Sequence, residues 1–292
     1  MNISGKAKVF GLIGHPVEHS LSPVLHHTLS DILGHQVLYA PFDVKKDLKS
    51  AIKGAFELNV QGLNVTVPYK QDVMEFLIEV DPLAKKIGAV NTLVRMEDGY
   101  KGYNTDMPGL KRAMEHDKIA ISGGNFYLIG AGGVARAALV MLLENKAKRV
   151  HILNRSVEKA KELAEALSAD YETVVTYGPL TSYKEVNLEN VVAIQATNVG
   201  MYPKVEEAAI EDLEFYQSIE AAYDLIFNPA TTKFMRLADE CGKKAYNGLK
   251  MLLFQGVIAY EYWNNVVVSD DIMAKVYDTM LEELIKRWNI LF

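Results

Sequence analysis

A glycine-rich turn is the part of the sequence whose chemistry is most easily recognised. It lies between the apolar run 125–129 and the helix-like segment 136–143, and it consists of Gly130, Ala131, Gly132, Gly133, Val134 and Ala135. In a strand–turn–helix unit, glycines let the backbone come close to a pyrophosphate, a small residue lets the helix pack tightly, and free N–H groups at the helix start bind the anion. The turn therefore predicts a dinucleotide-binding site.

The end of the next strand-like segment, 149–153, indicates which dinucleotide would bind. Asn154, Arg155 and Ser156 follow it, and no carboxylate stands there. An NAD site usually places Asp or Glu at this point for the ribose hydroxyl, whereas an arginine favours the 2′-phosphate of NADP. We therefore predict NADP. The alternative is that Arg155 is an ordinary surface residue and Ser156 is the N-cap of the following helix.

Polar residues also gather where three strand-like segments of the first half end, and they include Lys70, Asn91 and Asp106. Reduction of a carbonyl by hydride creates an alkoxide, so such an enzyme needs a proton donor and polar groups that orient the substrate. Each residue also has a simpler interpretation. Lys70 is then a solvated residue, Asn91 a turn former and Asp106 the N-cap of a helix.

Strand-like and helix-like segments alternate along the chain, which predicts an α/β protein with largely parallel sheets. Three strand-like segments precede the glycine turn and indicate a separate N-terminal domain, with a hairpin turn at 97–99. Two long helical segments, 249–264 and 270–288, end the chain and are expected to return to the first domain. We predict an N-terminal α/β substrate domain at 1–106, a Rossmann-like doubly wound NADP-binding domain at 107–248, and C-terminal helices at 249–292.

Composition and charge exclude several classes of protein. The chain has 292 residues, 49% of them apolar, with a net charge of −6 and scattered basic residues, so it has no basic surface for nucleic acid. Cys241 is the single cysteine, which fits a reducing compartment. We predict a soluble, cytoplasmic protein, because no signal peptide or membrane-spanning segment is evident. We predict no metal, because the adjacent His26 and His27 point about 100° apart on a helix.

Eight segments in one order make the sequence resemble the shikimate dehydrogenase family over nearly the whole chain. They are 19–23, 64–70, 88–92, 102–106, 130–135, 154–156, 196–201 and 247–255. The resemblance implies an enzyme of aromatic amino-acid biosynthesis that reduces 3-dehydroshikimate to shikimate with NADPH. It also implies that this small-molecule substrate lies in a cleft between two α/β domains.

The resemblance assigns roles to individual residues. Lys70 and Asp106 look like the catalytic pair, since an ammonium can protonate an alkoxide and a neighbouring carboxylate orients it. The residues that resemble the substrate-binding groups are Ser20, Ser22 and Tyr223 for the carboxylate, and Asn64, Thr66, Asn91 and Gln255 for the ring hydroxyls. Besides the glycine turn and 154–156, the cofactor-binding residues by resemblance are Thr197, Met201 and Gly248.

Some alternatives stay open at this stage. Ser22 could be a helix N-cap before Pro23, Gln255 could face solvent from an apolar helix, and Met201 could fill a core. The chain also departs from the family at Gln195, where Asn is frequent. The competing functions are a quinate/shikimate dehydrogenase with broader substrate or NAD use, and a non-catalytic regulator that binds NADPH or shikimate. The protein could be a monomer or a homodimer.

Overall fold

The computed structural model describes residues 4–186 and 188–291. Contacts between Cα atoms divide the chain into two units, one made of the described residues up to Gly109 together with those from Leu252 onward, and the other of Leu110–Met251. Within the described residues, each unit contains a six-stranded sheet flanked by helices. The predicted α/β class is confirmed, and the division falls a few residues after each predicted boundary.

The first unit carries a mixed sheet in the order β2-β1-β3-β5-β6-β4. Its strands are β1 (Lys8–Gly14), β2 (Val37–Asp43), β3 (Gly62–Val65), β4 (Glu79–Val80), β5 (Thr92–Arg95) and β6 (Tyr100–Tyr103). The helices between them are α1 (Ser22–Leu33), α2 (Leu48–Glu57) and α3 (Pro82–Ile87). α4 (Asp106–His116) follows β6, and its residues from Leu110 onward belong to the second unit. β1, β2 and β3 are parallel, whereas β5 is antiparallel to both β3 and β6. The sheet is therefore mixed, with β5 as the strand that runs opposite to both of its neighbours, and the predicted hairpin at 97–99 joins β5 to β6.

The second unit is a parallel sheet in the order β12-β11-β10-β7-β8-β9, which is the strand order of a doubly wound dinucleotide-binding fold. Its strands are β7 (Asn125–Ile129), β8 (Arg149–Leu153), β9 (Val174–Gly178), β10 (Val191–Gln195), β11 (Ile219–Asp224) and β12 (Lys244–Tyr246). The helices are α5 (Gly133–Glu144), α6 (Val157–Leu167), α7 (Leu213–Ser218) and α8 (Lys233–Glu240). The order reverses between β7 and β10, where ligands of such sheets bind.

Two helices, α9 (Leu249–Asn264) and α10 (Asp270–Leu291), end the described chain. Most of α9 and all of α10 belong to the first unit. Trp263 of α9 stacks on Phe10 of β1 with 4.8 Å between ring centroids, and its Nε1 donates a hydrogen bond to the Leu93 carbonyl at 2.9 Å. Burial of these large apolar side chains secures the helix to the sheet.

Among the helices that the structure describes, none has both the length and the apolar character needed to span a membrane. The described residues also bring no group of three His, Cys, Asp or Glu side chains together in a way that could hold a metal ion.

Candidate active site

Lys70 and Asp106 form an ion pair in the first unit. Lys70 follows β3 and Asp106 begins α4, and their Nζ and Oδ2 atoms are 2.7 Å apart. Their side chains are only 16% and 9% exposed. An ammonium has three donors, and Asp106 is the one hydrogen-bond partner of Nζ within the described residues. Lys70 therefore retains donors for the oxygen of a ligand.

The start of α4 explains why Asp106 is available for this pair. The backbone N–H of Met107 donates to Asn104 Oδ1 at 3.1 Å, so Asn104 provides the capping oxygen for the helix. The interpretation of Asp106 as the N-cap is therefore wrong. Asn104 was not singled out from the sequence, although a cap three residues before Met107 is a common pattern.

Asn91 fixes the carboxylate of Asp106 from the other side. Its Nδ2 donates to Asp106 Oδ1 at 2.9 Å, and its Oδ1 accepts the Thr105 N–H at 2.7 Å. The side chain is buried, so Asn91 is not a solvent-exposed turn former. Because both ends of the amide are engaged, Asn91 holds Asp106 in one orientation.

Gln255 reaches the same cluster from α9. Its Oε1 lies 3.3 Å from Asn91 Nδ2, and its Nε2 donates to the Leu252 carbonyl at 2.9 Å. The alternative that Gln255 faces solvent is wrong, because its side chain is buried. Gly109 of α4 makes the approach possible, since a Cβ at this position would lie 2.8 Å from the Gln255 backbone nitrogen.

Asn64 lies deeper in the first unit and is surrounded by protein groups. Its Oδ1 accepts the Tyr39 hydroxyl at 2.8 Å and lies 3.3 Å from His26 Nε2, while its Nδ2 donates to Thr92 Oγ1 at 3.2 Å. Burial lowers the pKa of His26 to about 3, so the ring is neutral and offers one N–H donor. His26 and Tyr39 therefore support Asn64, a role that the sequence did not reveal.

The two predicted serines lie at the start of α1. The N–H of Ser22 donates to Ser20 Oγ at 3.1 Å. Leu21 occupies the N-cap position and Ser22 is the first helical residue, so the alternative that Ser22 caps the helix is wrong. Ser22 is buried, Ser20 is half-buried, and Thr66 is half-buried directly after β3.

The glycine turn of the second unit has the geometry of an anion site. Gly130 has a φ of +118°, and a Cβ there would lie 2.9 Å from the Ala196 carbonyl oxygen, so glycine is required. A Cβ on Gly132 or Gly133 would meet open space, and Gly132 makes no side-chain cap for α5. Space is therefore open beside the start of α5, and the free N–H groups of a helix start are suited to the phosphates of a dinucleotide.

The segment that follows β8 contains the N-cap of α6 and an exposed arginine. Ser156 is the N-cap of α6 and accepts the Lys159 N–H at 3.4 Å. Asn154 Nδ2 donates to the Ser156 carbonyl at 2.8 Å, which fixes the turn. Arg155 stays exposed between them, so its guanidinium can reach a phosphate.

Thr197, Met201 and Gly248 follow strands β10 and β12 of the same sheet. Thr197 Oγ1 and N–H both donate to Gln195 Oε1 at 2.7 Å, so the buried Gln195 holds this turn. Met201 is 42% exposed and does not fill the core, which rules out that alternative. A Cβ on Gly248 would lie 2.2 Å from the Leu225 carbonyl oxygen, so the packing of this turn requires a glycine.

Tyr223 does not lie where its predicted role requires. It is fully buried in β11, and its hydroxyl donates to Asp117 Oδ2 at 3.2 Å. Asp117 also pairs with Lys250. A fully buried hydroxyl that is already bound to a protein carboxylate has no access to a ligand, so the structure gives no support for Tyr223 as a substrate-carboxylate group.

Comparisons with known proteins agree with this arrangement. A family model described as the shikimate dehydrogenase substrate binding domain matches residues 12–93, and one described as shikimate / quinate 5-dehydrogenase matches residues 113–219. A shikimate dehydrogenase (NADP(+)) of Desulforamulus reducens is 42% identical over 280 residues, covering 94% of this chain and 96% of that protein. This chain belongs to the shikimate dehydrogenase family.

Solved structures of the shikimate dehydrogenase family share the fold. A chorismate mutase/shikimate 5-dehydrogenase fusion protein from Clostridium acetobutylicum superposes with a TM-score of 0.86 at 35% identity, covering 95% of this chain and 98% of that one. The shikimate 5-dehydrogenase of Thermus thermophilus, solved in complex with NADP(H) and shikimate, has a TM-score of 0.82 at 31% identity, covering 94% and 99%.

Proposed function

We propose that the protein is an NADP-dependent oxidoreductase that interconverts 3-dehydroshikimate and shikimate, a step of aromatic amino-acid biosynthesis. The observation that carries the proposal is the partly buried Lys70–Asp106 pair, which Asn91 holds in place. Membership of the shikimate dehydrogenase family supports the choice of substrate.

Lys70 provides the proton in this proposal. When the ketone is reduced, its oxygen gains negative charge, and the Lys70 ammonium donates a hydrogen bond and then a proton to it. In the reverse direction the proton returns from the shikimate hydroxyl to Lys70. The carboxylate of Asp106 orients Nζ throughout, at 2.7 Å. Asn91 and Gln255 support the pair from its buried side. The hydroxyls of Ser20, Ser22 and Thr66 supply neutral donors and acceptors for a polyol with a carboxylate.

The second unit supplies the cofactor site in this proposal. When bound, NADP(H) gives or accepts the hydride. The N–H groups at the start of α5 would hold its pyrophosphate, and the exposed Arg155, with the Ser156 turn, would hold the 2′-phosphate. The turn that Gln195 fixes through Thr197 would lie at the nicotinamide end, together with Met201.

The test is to follow NADP reduction by absorbance at about 340 nm, a property of the reduced nicotinamide itself. Shikimate and quinate are each offered with NADP and with NAD. We expect turnover of shikimate with NADP and much less with the other combinations. Comparable turnover of quinate, or comparable use of NAD, would assign the protein to the broader quinate/shikimate function. NADPH binding without any turnover would favour a regulator.

A further inference from the structure

The hydroxyl of Tyr39 lies at one end of a continuous chain of buried hydrogen bonds in the first unit. It donates to Asn64 Oδ1 at 2.8 Å. Asn64 Nδ2 donates to Thr92 Oγ1 at 3.2 Å, and Thr92 Oγ1 donates to Asn91 Oδ1 at 3.3 Å. Asn91 Nδ2 then donates to Asp106 Oδ1. Each donor in this chain points toward the Lys70–Asp106 pair.

Tyr39 and its neighbour His26 determine which atoms donate and which accept at the start of this series of hydrogen bonds. Burial raises the pKa of Tyr39 well above its usual value, so its hydroxyl keeps its proton. The neutral His26 ring stacks on Tyr39 with 4.2 Å between centroids, and its Nε2 lies 3.3 Å from Asn64 Oδ1. Two donors on one oxygen fix which end of the Asn64 amide is the acceptor.

Tyr39 contacts a predicted substrate-binding residue without being open to the substrate itself. Its hydroxyl donates to Asn64, which the resemblance assigns to a ring hydroxyl. Tyr39 itself is 2% exposed and cannot be reached by a ligand.

We propose that Tyr39 is a positioning residue that sets the affinity for the substrate by orienting Asn64. This inference rests on the proposed function. We expect loss of the Tyr39 hydroxyl to change the KM for the substrate but not the kcat, because Asn91 Oδ1 also accepts a hydrogen bond from the Thr105 N–H at 2.7 Å. Asp106 and Lys70 therefore keep their geometry when the Tyr39 hydroxyl is removed.

The test compares Tyr39→Phe with Tyr100→Phe in the full chain. Tyr100 is the matched control, because it is 1% exposed in the same unit and donates to the Val60 carbonyl at 2.8 Å, yet it has no place in the chain of bonds. A neutral hydrogen bond contributes about 0.5–1.5 kcal/mol, so we expect Tyr39→Phe to raise the KM for shikimate about threefold to tenfold. The kcat and the KM for NADP should stay near their wild-type values. Tyr100→Phe should lower the melting temperature about as much as Tyr39→Phe does, without changing any kinetic constant.

A double substitution sharpens the result. If Tyr39 acts through Asn64, then Tyr39→Phe combined with Asn64→Ala should raise the KM for shikimate by less than the product of the two single effects. The proposal would be overturned if Tyr39→Phe left the KM for shikimate unchanged, or if it lowered the kcat about threefold to tenfold with the KM unchanged. Failure of Tyr39→Phe to fold would also overturn it. Wild-type protein that fails to oxidise shikimate would overturn the proposed function, and this inference with it.

Discussion

In the first unit the groups proposed to act on the substrate are side chains that hydrogen-bond one another, whereas in the second unit the groups proposed to hold the cofactor are mostly backbone N–H groups beside glycines. In the first unit, hydrogen bonds from neighbouring side chains orient each of these groups. In the second unit, the backbone N–H groups are accessible because the glycines beside them carry no side chain. A substitution therefore damages the first site by removing an atom and the second site by adding one.

The two units also treat a buried carboxylate differently. Asp106 in the first unit faces the Lys70 ammonium. Asp224 in the second unit receives only neutral donors, the Thr232 hydroxyl at 2.6 Å and the Ile226 N–H at 2.9 Å. An opposite charge beside a carboxylate favours its ionised form, whereas burial without an opposite charge favours its protonated form. The first carboxylate is thus suited to an ion pair at a reacting group, and the second to a structural role.

The largest effect is expected at the pair itself. Lys70→Met removes the proton donor and should lower kcat about 10²-fold to 10⁴-fold, the usual contribution of a positioned acid–base group, with a much smaller change in the KM for shikimate. Steady-state kinetics at saturating NADP measure both constants. Lys101→Met is the matched control, because Lys101 pairs with Glu79 at 2.7 Å elsewhere in the same unit. An unchanged kcat in Lys70→Met would remove Lys70 from the catalytic role.

The next effect concerns Asp224 and pH. Burial raises the pKa of Asp224 to about 7 from the ordinary 3.8, so the folded state binds a proton that the unfolded state releases. Its contribution to stability is complete below about pH 4 and is lost as the pH rises through 7. Each pKa unit corresponds to about 1.4 kcal/mol, so up to about 4 kcal/mol is involved.

Urea denaturation of wild type and Asp224→Asn at pH values from about 5 to 8 measures this contribution. Wild type should lose stability relative to the variant as the pH rises. Asp212→Asn is the matched control, because hydrogen bonds from Lys184 and Tyr183 lower the pKa of Asp212 to about 2. Asp212 therefore stays ionised over the whole tested range, and the stability of Asp212→Asn should run parallel to that of wild type. Parallel pH profiles for wild type and Asp224→Asn would refute the contrast between the two carboxylates.

A smaller effect should follow from filling the glycine turn. A Cβ on Gly132 meets no protein atom within 4 Å, so Gly132→Val should fold normally. The new side chain should obstruct the hydrogen bonds to a phosphate, which contribute about 1.5–3 kcal/mol each, and raise the KM for NADP about tenfold to a hundredfold. Gly54→Val in α2 is the control, because its Cβ is equally unobstructed. Equal NADP constants in the two variants would mean that no phosphate binds at the turn.

The smallest effect is expected at Arg155, because it is exposed and its contact with a phosphate is screened by solvent. Arg155→Ala should raise the KM for NADP about tenfold, equivalent to one charge-assisted hydrogen bond, and leave the KM for NAD unchanged. Arg149→Ala, an exposed arginine at the opposite end of β8, should change neither constant. If NADP and NAD weaken equally in Arg155→Ala, the residue does not recognise the 2′-phosphate.

Several features of the site were predictable because they depend on residues close together in the chain. The Gly130 turn is one, since the positive φ of Gly130 and the start of α5 are local properties. The polar segments around Lys70, Asn91 and Asp106 are another, although their proximity in space was inferred from a family resemblance. The burial of Tyr223 and its hydrogen bond to Asp117 were not predictable in this way, because a sequence pattern does not report burial.

The sequence by itself determined the α/β class, the glycine turn, the hairpin and the candidate polar residues, because strand and helix periodicity and turn preferences act over a few neighbouring residues. The tertiary structure decided how the candidates are used. Packing of β2, β3, β5 and α4 brings together the side chains of Tyr39, Asn64, Thr92 and Asp106. α9 adds Gln255 to this group. A buried polar group must find its partner wherever the folded chain supplies one, and that partner is set by packing between distant segments.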